Sequence, residues 1–153
     1  MTVDVRLRPI TEDDLPLLFE NQRDPIAAAM VGFPSRAWDE FLEHRRKTEA
    51  DPAGVTRAIE AGGVLVGDVV SWVDEDGDRE LGYWVDRAHW GRGIATAALT
   101  AFLEVVTDRP LYAYVARHNG GSARVLAKCG FTPVPEDERP EDADPDEYMF
   151  VLD

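Results

Sequence analysis

LGYWVDRAHWGRGIAT, Leu81 to Thr96, joins two kinds of periodicity. LGYWV before it is rich in β-forming residues, whereas GIATAALTAFLEVVTD, from Gly93 to Asp108, is apolar on nearly every side, as a helix packed on a sheet is. Two glycines and an arginine occupy the handover. The first N–H groups of a helix lack internal partners and lie at the positive end of its dipole, which makes such a start an anion site. Glycine there holds no side chain between an anion and the amides, and it accepts a positive φ. The stretch thus predicts that Gly91 and Gly93 admit a pyrophosphate to the amides of Arg92, Gly93, Ile94, Ala95 and Thr96, with Arg87 and Arg92 adding charge. A G-x-G pair alone is often only a tight turn, so its weight comes from what surrounds it. No G-K-[ST] occurs in the chain, and the dinucleotide fingerprint fails because Thr96 stands where glycine or alanine is needed.

Outward from this junction the pattern is mixed. VRLRPI at the front alternates as a strand does. TEDDLPLLFENQ offers Thr11 as an N-cap followed by Leu15, Leu18 and Phe19 at helical spacing. SRAWDEFLEHRRKTEA repeats this with Ser35 as cap and Trp38, Phe41, Leu42 and Arg45 on one side. Three β-rich runs follow, Val55 to Glu60, Val64 to Val73 and Arg79 to Val85, divided by the hairpin turns AGG and DEDGD. Beyond the alanine-rich helix come LYAYVA as a strand, SARVLAKCG as a helix closed by Gly130, and YMFVL as a last strand. The order predicts an α/β (α+β) fold with a mixed central sheet of about six to seven strands and about four helices. Its 153 residues are expected to form a single domain, 1–153.

Composition narrows the class of function. With 44% hydrophobic and 30% charged residues the chain reads as globular, and MTVDVRLRP holds no apolar run suited to a signal peptide or membrane span. A net charge of −14 disfavours nucleic acid and anionic membrane and favours cationic partners. The segment EDERPEDADPDE, Glu136 to Glu147, carries eight acids against one arginine, hence −7 by itself. It reads either as a solvated loop or as an attractive rim for a cationic substrate. One cysteine, Cys129, excludes an internal disulfide, and His44, His89 and His118 lack metal-ligand spacing, so no metal is expected. A cytoplasmic location is the expectation.

The combination ELGYWV, HWGRGIATAAL and HNGGSARVLAKCGF resembles the GNAT superfamily of acetyl-CoA-dependent N-acyltransferases, and within it the Rim-type protein N-terminal acetyltransferases. The likeness spans essentially the whole chain, from LRPITEDDLPLLF to the final strand. It implies a GNAT fold in which the strand before the glycines splays from its neighbour, forming a cleft for CoA, and the glycine-turn amides hold the pyrophosphate. The superfamily pattern Q/R-x-x-G-x-G/A maps to Trp90, Gly91, Arg92, Gly93, Ile94 and Ala95, with Trp90 in place of arginine or glutamine. The amides of Trp84 and Val85 are the expected partners of the pantetheine, and Arg87, Arg124 and Lys128 the candidate cations for the nucleotide phosphates.

Acetyl transfer to an amine needs a base for the amine proton and a donor for the departing thiolate. The resemblance assigns the base to Glu80. By strand alternation Glu80, Gly82 and Trp84 share one face and Leu81, Tyr83 and Val85 the other, and the sequence leaves open which face lines the cleft. The tyrosine that many members use for the thiolate is Leu126 here. The Rim-type N-x-x-S motif, Asn119 to Ser122, implies that Ser122 donates to the thiolate and that Asn119 bonds pantetheine or water. Either residue would also serve as a helix N-cap. Cys129 reads as a small apolar packing residue, His118 as a loop histidine, and Trp38, Phe33 and Trp72 as core or acceptor-pocket wall. The expected function is acetyl transfer from acetyl-CoA to a primary amine, a protein N-terminus or a small cationic molecule, by direct attack in a monomer or homodimer. The alternative is a catalytically silent acyl-CoA-binding module, or more distantly an interaction protein that docks a basic partner on its acidic loop.

Overall fold

A computed structural model of the protein describes residues 4–31 and 36–153. The elements run β1 (Val5–Arg8), α1 (Leu15–Arg23), α2 (Pro25–Val31), α3 (Trp38–Ala50), β2 (Val55–Ala61), β3 (Val64–Val73), β4 (Arg79–Val85), α4 (Ile94–Val105), β5 (Leu111–Ala116), α5 (Gly120–Lys128), β6 (Thr132–Pro133) and β7 (Glu147–Leu152). The seven strands form one sheet in the order β1-β2-β3-β4-β5-β7-β6. Every neighbouring pair is antiparallel except β4 and β5. The mixed α/β sheet expected from the sequence is present, with five helices among the described residues where about four were expected.

The three-stranded meander lies where the alternating runs placed it, β2 extending one residue further to Ala61. The extra helix is α2. Pro25 stands at its first position, where the missing N–H costs nothing, and the Asp24 carboxylate accepts from the Ile26 N–H at 3.0 Å. Helix α3 begins at Trp38 after Ala37, later than the expected cap; Ser35 and Phe33 lie outside the described residues. Helix α5 starts at Gly120 because Asn119, not Ser122, is its N-cap. The two-residue β6 was not legible in the sequence.

One face of the sheet carries the main core. Ile94, Ala98, Leu99 and Phe102 of α4 and Leu126 of α5 pack on Ile59, Val69, Leu81, Val85 and Leu111, all buried. Leu18 of α1 and Phe41 of α3 are buried on the helices that cover the opposite face. There Phe19, Trp38 and Phe41 form an aromatic cluster with ring centroids 5.0 to 5.8 Å apart. At the front, Arg8 ties the edge of the sheet to the start of α1. Its guanidinium grips Asp14 with two bonds of 2.7 and 2.8 Å and reaches Glu60 at 2.8 Å. The Arg8 hydrogen bonds, against the cost of burial, hold the Asp14 carboxyl down at about 2.

At Gly67 strand β3 lies so close to β4 that an added Cβ would stand 1.9 Å from the carbonyl oxygen of Trp84. Only glycine fits without displacing the β4 backbone. Gly67→Ala is therefore expected to destabilise the protein by at least about 2 kcal/mol, as forced overpacking does. A lowered melting temperature in thermal unfolding checks it, and an unchanged one would show that β4 yields freely.

Candidate active site

The parallel pair β4–β5 is only three residues long: Arg79 opposite Leu111, Glu80 opposite Tyr112 and Leu81 opposite Ala113. Beyond it the strands diverge, each held by its other neighbour. Strand β4 stays paired with β3 to Val85, and β5 with β7 to Ala116. The Asp86 N–H donates to the Val66 carbonyl at 2.7 Å, so by the alternation of an antiparallel ladder Gly82 and Trp84 also turn their backbone groups toward β3. Tyr83 and Val85 turn theirs toward the gap. Of the two amides expected to face pantetheine, the gap therefore receives that of Val85, while the Trp84 amide is committed to β3 and the Tyr83 amide takes its place.

At the wide end of the gap lies the glycine turn. Gly91 and Gly93 have φ of 77° and 76°, a left-handed conformation that side chains resist, and Gly93 is the N-cap of α4. A Cβ on either would meet nothing within 4 Å, so glycine is needed here for backbone conformation and leaves the turn open. Trp90 has a role the sequence did not suggest. Its indole N–H donates to the Val85 carbonyl at 2.7 Å, closing one gap-facing group of β4 and tying the turn to the strand, while the residue stays 40% exposed.

The cations divide. Arg87 is engaged by Asp24 at 2.5 Å, which pins the turn after β4 to the junction of α1 and α2. Arg92, Arg124 and Lys128 are exposed and have no ion-pair partner among the described residues. The Arg124 guanidinium lies over the glycines that open α5, 3.3 Å from where a Gly120 Cβ would be. His118 is structural, its Nε2 being 2.7 Å from the Ala29 carbonyl, and Cys129 packs with its Sγ 3.8 Å from Thr96 O and Thr100 Oγ1.

Alongside the gap is a cleft of about 930 Å³ between α1 and α3 on one side and β3, β4, β5 and β7 on the other. Glu80, Gly82 and Trp84 line it, with Trp72 beside Gly82, and Leu81 and Tyr83 of the other face reach it through the gap, so that both faces of β4 border the cleft. Burial pushes the Glu80 carboxyl up to about 7, helped by its hydrogen bond and repulsion with Asp74 and by the charges of Asp78 and Glu147. Burial also acts against ionisation of Asp74, yet its carboxyl is lowered, because it bonds Glu80 and accepts from the N–H groups of Asp76 and Asp78 at 2.9 Å each. The two carboxyls are thus shifted in opposite directions, Asp74 down and Glu80 up. The backbone of Glu80 is fixed as well: its carbonyl accepts from the fully buried Ser71 hydroxyl at 2.7 Å, and Arg79 bonds the same hydroxyl at 3.0 Å. Glu147, last residue of the acidic segment, enters the cleft and is half-buried, which raises its carboxyl too. Arg45 and Asp68 form an ion pair of 2.7 Å deeper in the cleft, and burial beside Arg36 and Arg45 lowers the His44 pKa.

The second motif closes the narrow end. Asn119 Oδ1 accepts from the Ser122 N–H at 3.1 Å, so the asparagine is the cap and the Ser122 side chain is released from that duty. Its hydroxyl instead meets the phenol of Tyr83, 2.5 Å away across the gap. Leu126 is fully buried and offers no polar group. Among the described residues no group of three His, Cys, Asp or Glu is placed to hold a metal.

The sequence that builds this splayed pair and left-handed glycine turn matches the acetyltransferase (GNAT) domain model over residues 4–132. The chain belongs to the GNAT acetyltransferase family. It is accordingly an acetyltransferase, with acetyl-CoA as co-substrate, and its unpaired strand amides and open turn suit an extended pantetheine and a pyrophosphate. No curated protein matches it in sequence. Among solved structures it is similar to an acetyltransferase from Agrobacterium tumefaciens (TM-score 0.81, 22% identity, 100% of this chain and 95% of that one). A spermidine N-acetyltransferase from Vibrio cholerae, in complex with CoA and spermine, superposes with a TM-score of 0.79 at 18% identity over 97% and 94%. An aminoglycoside acetyltransferase bound to coenzyme A gives 0.78, 18%, 97% and 94%. At such identities the likeness carries the fold.

Glu80 makes a test of the electrostatics possible. Its carboxyl titrates near about 7 in the fold against an ordinary 4.5, so its contribution to stability is full below the lower value and lost as pH rises through the upper. Glutamine is neutral throughout. The melting temperature of Glu80→Gln should thus gain on the wild type as pH is raised from about 4 to about 8; a gap that does not change with pH would place Glu80 in water.

Proposed function

We propose that the protein transfers the acetyl group of acetyl-CoA to a primary amine by direct attack, with Glu80 as general base and Ser122 as hydrogen-bond donor to the departing sulfur. The observation that carries this reading is the position of Glu80. It stands at the middle of the three paired residues from which β4 and β5 diverge, lines the acceptor cleft and titrates at about 7. A carboxylate of that strength is half ionised at neutral pH, where a general base works best. It is too weak to strip a free ammonium, whose pKa is roughly 10. It is strong enough to take the proton from nitrogen once the C–N bond has begun to form and that nitrogen has become acidic.

The binding roles follow from the same geometry. The amides of Tyr83 and Val85 pair with the pantetheine, those of Arg92, Gly93, Ile94, Ala95 and Thr96 receive the pyrophosphate, and Arg92, Arg124 and Lys128 supply mobile charge. Asn119 caps α5 and leaves its side-chain amide to the pantetheine or to water. The Asn119-x-x-Ser122 arrangement supports a place near the Rim-type branch. Glu80, Glu147 and the nearby Asp74 and Asp78 make the amine end of the cleft acidic, which favours a cationic acceptor, a small polyamine-like molecule or a protein N-terminus. The structurally similar acetyltransferases named for spermidine and aminoglycosides lend weight to the small-molecule case. No helix among the described residues is long and apolar enough to cross a membrane, in keeping with a cytoplasmic enzyme.

Calorimetric titration with acetyl-CoA, followed by thiol release on adding peptides with free α-amines, polyamines and aminoglycosides, tests the assignment. Binding with release on one class is expected; binding without release on any amine would contradict it. Gly93→Glu should abolish acetyl-CoA binding, since a carboxylate would meet the pyrophosphate, and unchanged affinity would remove the glycine turn from the site. Glu80→Gln should lower kcat by roughly 10²-fold or more and erase the acidic limb of the pH–rate profile near pH 7. A mutant profile that keeps this limb would exclude Glu80 as the base.

A further inference from the structure

The hydroxyl of Ser122 is the only one on α5, and its partner comes from the opposite side of the gap. We infer that Tyr83 is a positioning residue for acyl transfer, its phenol O–H donating to Ser122 Oγ so that the serine proton is left to point at the sulfur of the departing CoA. The inference rests on the donor role proposed for Ser122. A serine hydroxyl has a single hydrogen. If Ser122 gave it to Tyr83, nothing would remain for the thiolate. Tyr83 Oη lies 2.5 Å from Ser122 Oγ and 3.3 Å from the Ser122 carbonyl oxygen. The carbonyl can only accept, so the phenol hydrogen is drawn toward Ser122 by both oxygens. The serine N–H is already held by Asn119, which fixes the turn of helix that carries the hydroxyl.

The position of Tyr83 on β4 explains why it serves. Its ring packs against the apolar core with Leu81 and Val85, and its amide faces the gap where the thioester arm would lie. One residue thus connects the strand that binds the donor to the helix that receives its sulfur. In the step itself the amine nitrogen bonds the thioester carbon, the C–S bond breaks and the sulfur leaves with the bonding pair. The nitrogen proton passes to Glu80, Ser122 stabilises the sulfur anion by its hydrogen bond, and that proton then returns through water from Glu80 to the sulfur, so that amide and free thiol leave and Glu80 is again a carboxylate. Tyr83 is not the proton source. Burial pushes its phenol up to about 12, above an alkyl thiol at roughly 8.5, so it stays protonated and keeps donating.

The test is a double-mutant cycle in the full chain, with acetyl-CoA and the fastest amine found in the panel above. Ser122→Ala is expected to lower kcat by roughly 10²-fold and Tyr83→Phe by roughly 10-fold, with the KM for acetyl-CoA little changed. The double mutant should be no slower than Ser122→Ala alone, because Tyr83 acts only through the serine. Tyr83→Phe removes one oxygen and keeps the ring, and its thermal melt should stay close to the wild type. Unchanged turnover in Ser122→Ala would overturn the donor role and this inference together. A slow Ser122→Ala beside an unaffected Tyr83→Phe, or losses that multiply in the double mutant, would overturn the inference alone.

Discussion

The site depends on one constraint: β4 and β5 run parallel and pair for three residues and no more. A sheet that continued to pair would satisfy the backbone of Tyr83 and Val85 and leave nothing for an extended ligand to bond. By divergence the fold exposes strand amides inside the molecule, where their hydrogen bonds are worth most and are otherwise expensive to leave unmade. Three contacts hold the opening in shape. Trp90 closes the Val85 carbonyl, Tyr83 reaches Ser122 across the narrow end, and Gly67 lets β3 support β4 closely along its other edge.

Charge is arranged about the same axis. In a chain of net charge −14 the cleft end of β4 gathers Glu80, Asp74, Asp78 and Glu147, while the glycine turn and the start of α5 carry Arg92 and Arg124. Under the proposed function this polarity suits an amine at one end and the phosphates at the other. Asp74 has a double part in this. The turn amides hold its carboxyl low, and after burial it is the next cause that pushes the Glu80 carboxyl up to about 7, so a hairpin turn helps to tune the candidate base. Arg87 is used differently: bound to Asp24, it fastens the turn after β4 to the helices that wall the cleft.

Much of this was legible in the residues. Alternation and hairpin turns gave the meander of β2, β3 and β4 almost to the residue, and two glycines before an apolar helical run marked the left-handed turn that opens α4. Glu80 as a cleft residue followed from the resemblance, but only the tertiary structure showed that residues of both β4 faces, Tyr83 included, border the cleft. What escaped depends on long-range proximity. Tyr83 alternates with Leu81 and Val85 and reads as core until Ser122, 39 positions later, is seen opposite it. Trp90 stands where the superfamily pattern has arginine or glutamine, and its indole N–H bonds a carbonyl five residues back, a contact that alternation does not reveal. The Trp84 amide was expected in the gap because sequence does not reveal which way a strand's backbone groups turn. The sequence left the cap of α5 open between Asn119 and Ser122, and the structure gives that place to Asn119. Helix α2 was missed since PIAAAMV is too short to show a period.

The most direct test of this account is residue-resolved amide hydrogen exchange by NMR, with and without acetyl-CoA. If the divergent strand and the glycine turn form the co-substrate site, the N–H groups of Tyr83, Val85 and residues 92–96 should gain protection on binding, while that of Trp84, already paired with β3, should change little. Binding of acetyl-CoA that leaves the Tyr83, Val85 and turn amides exchanging at their free rates would contradict it.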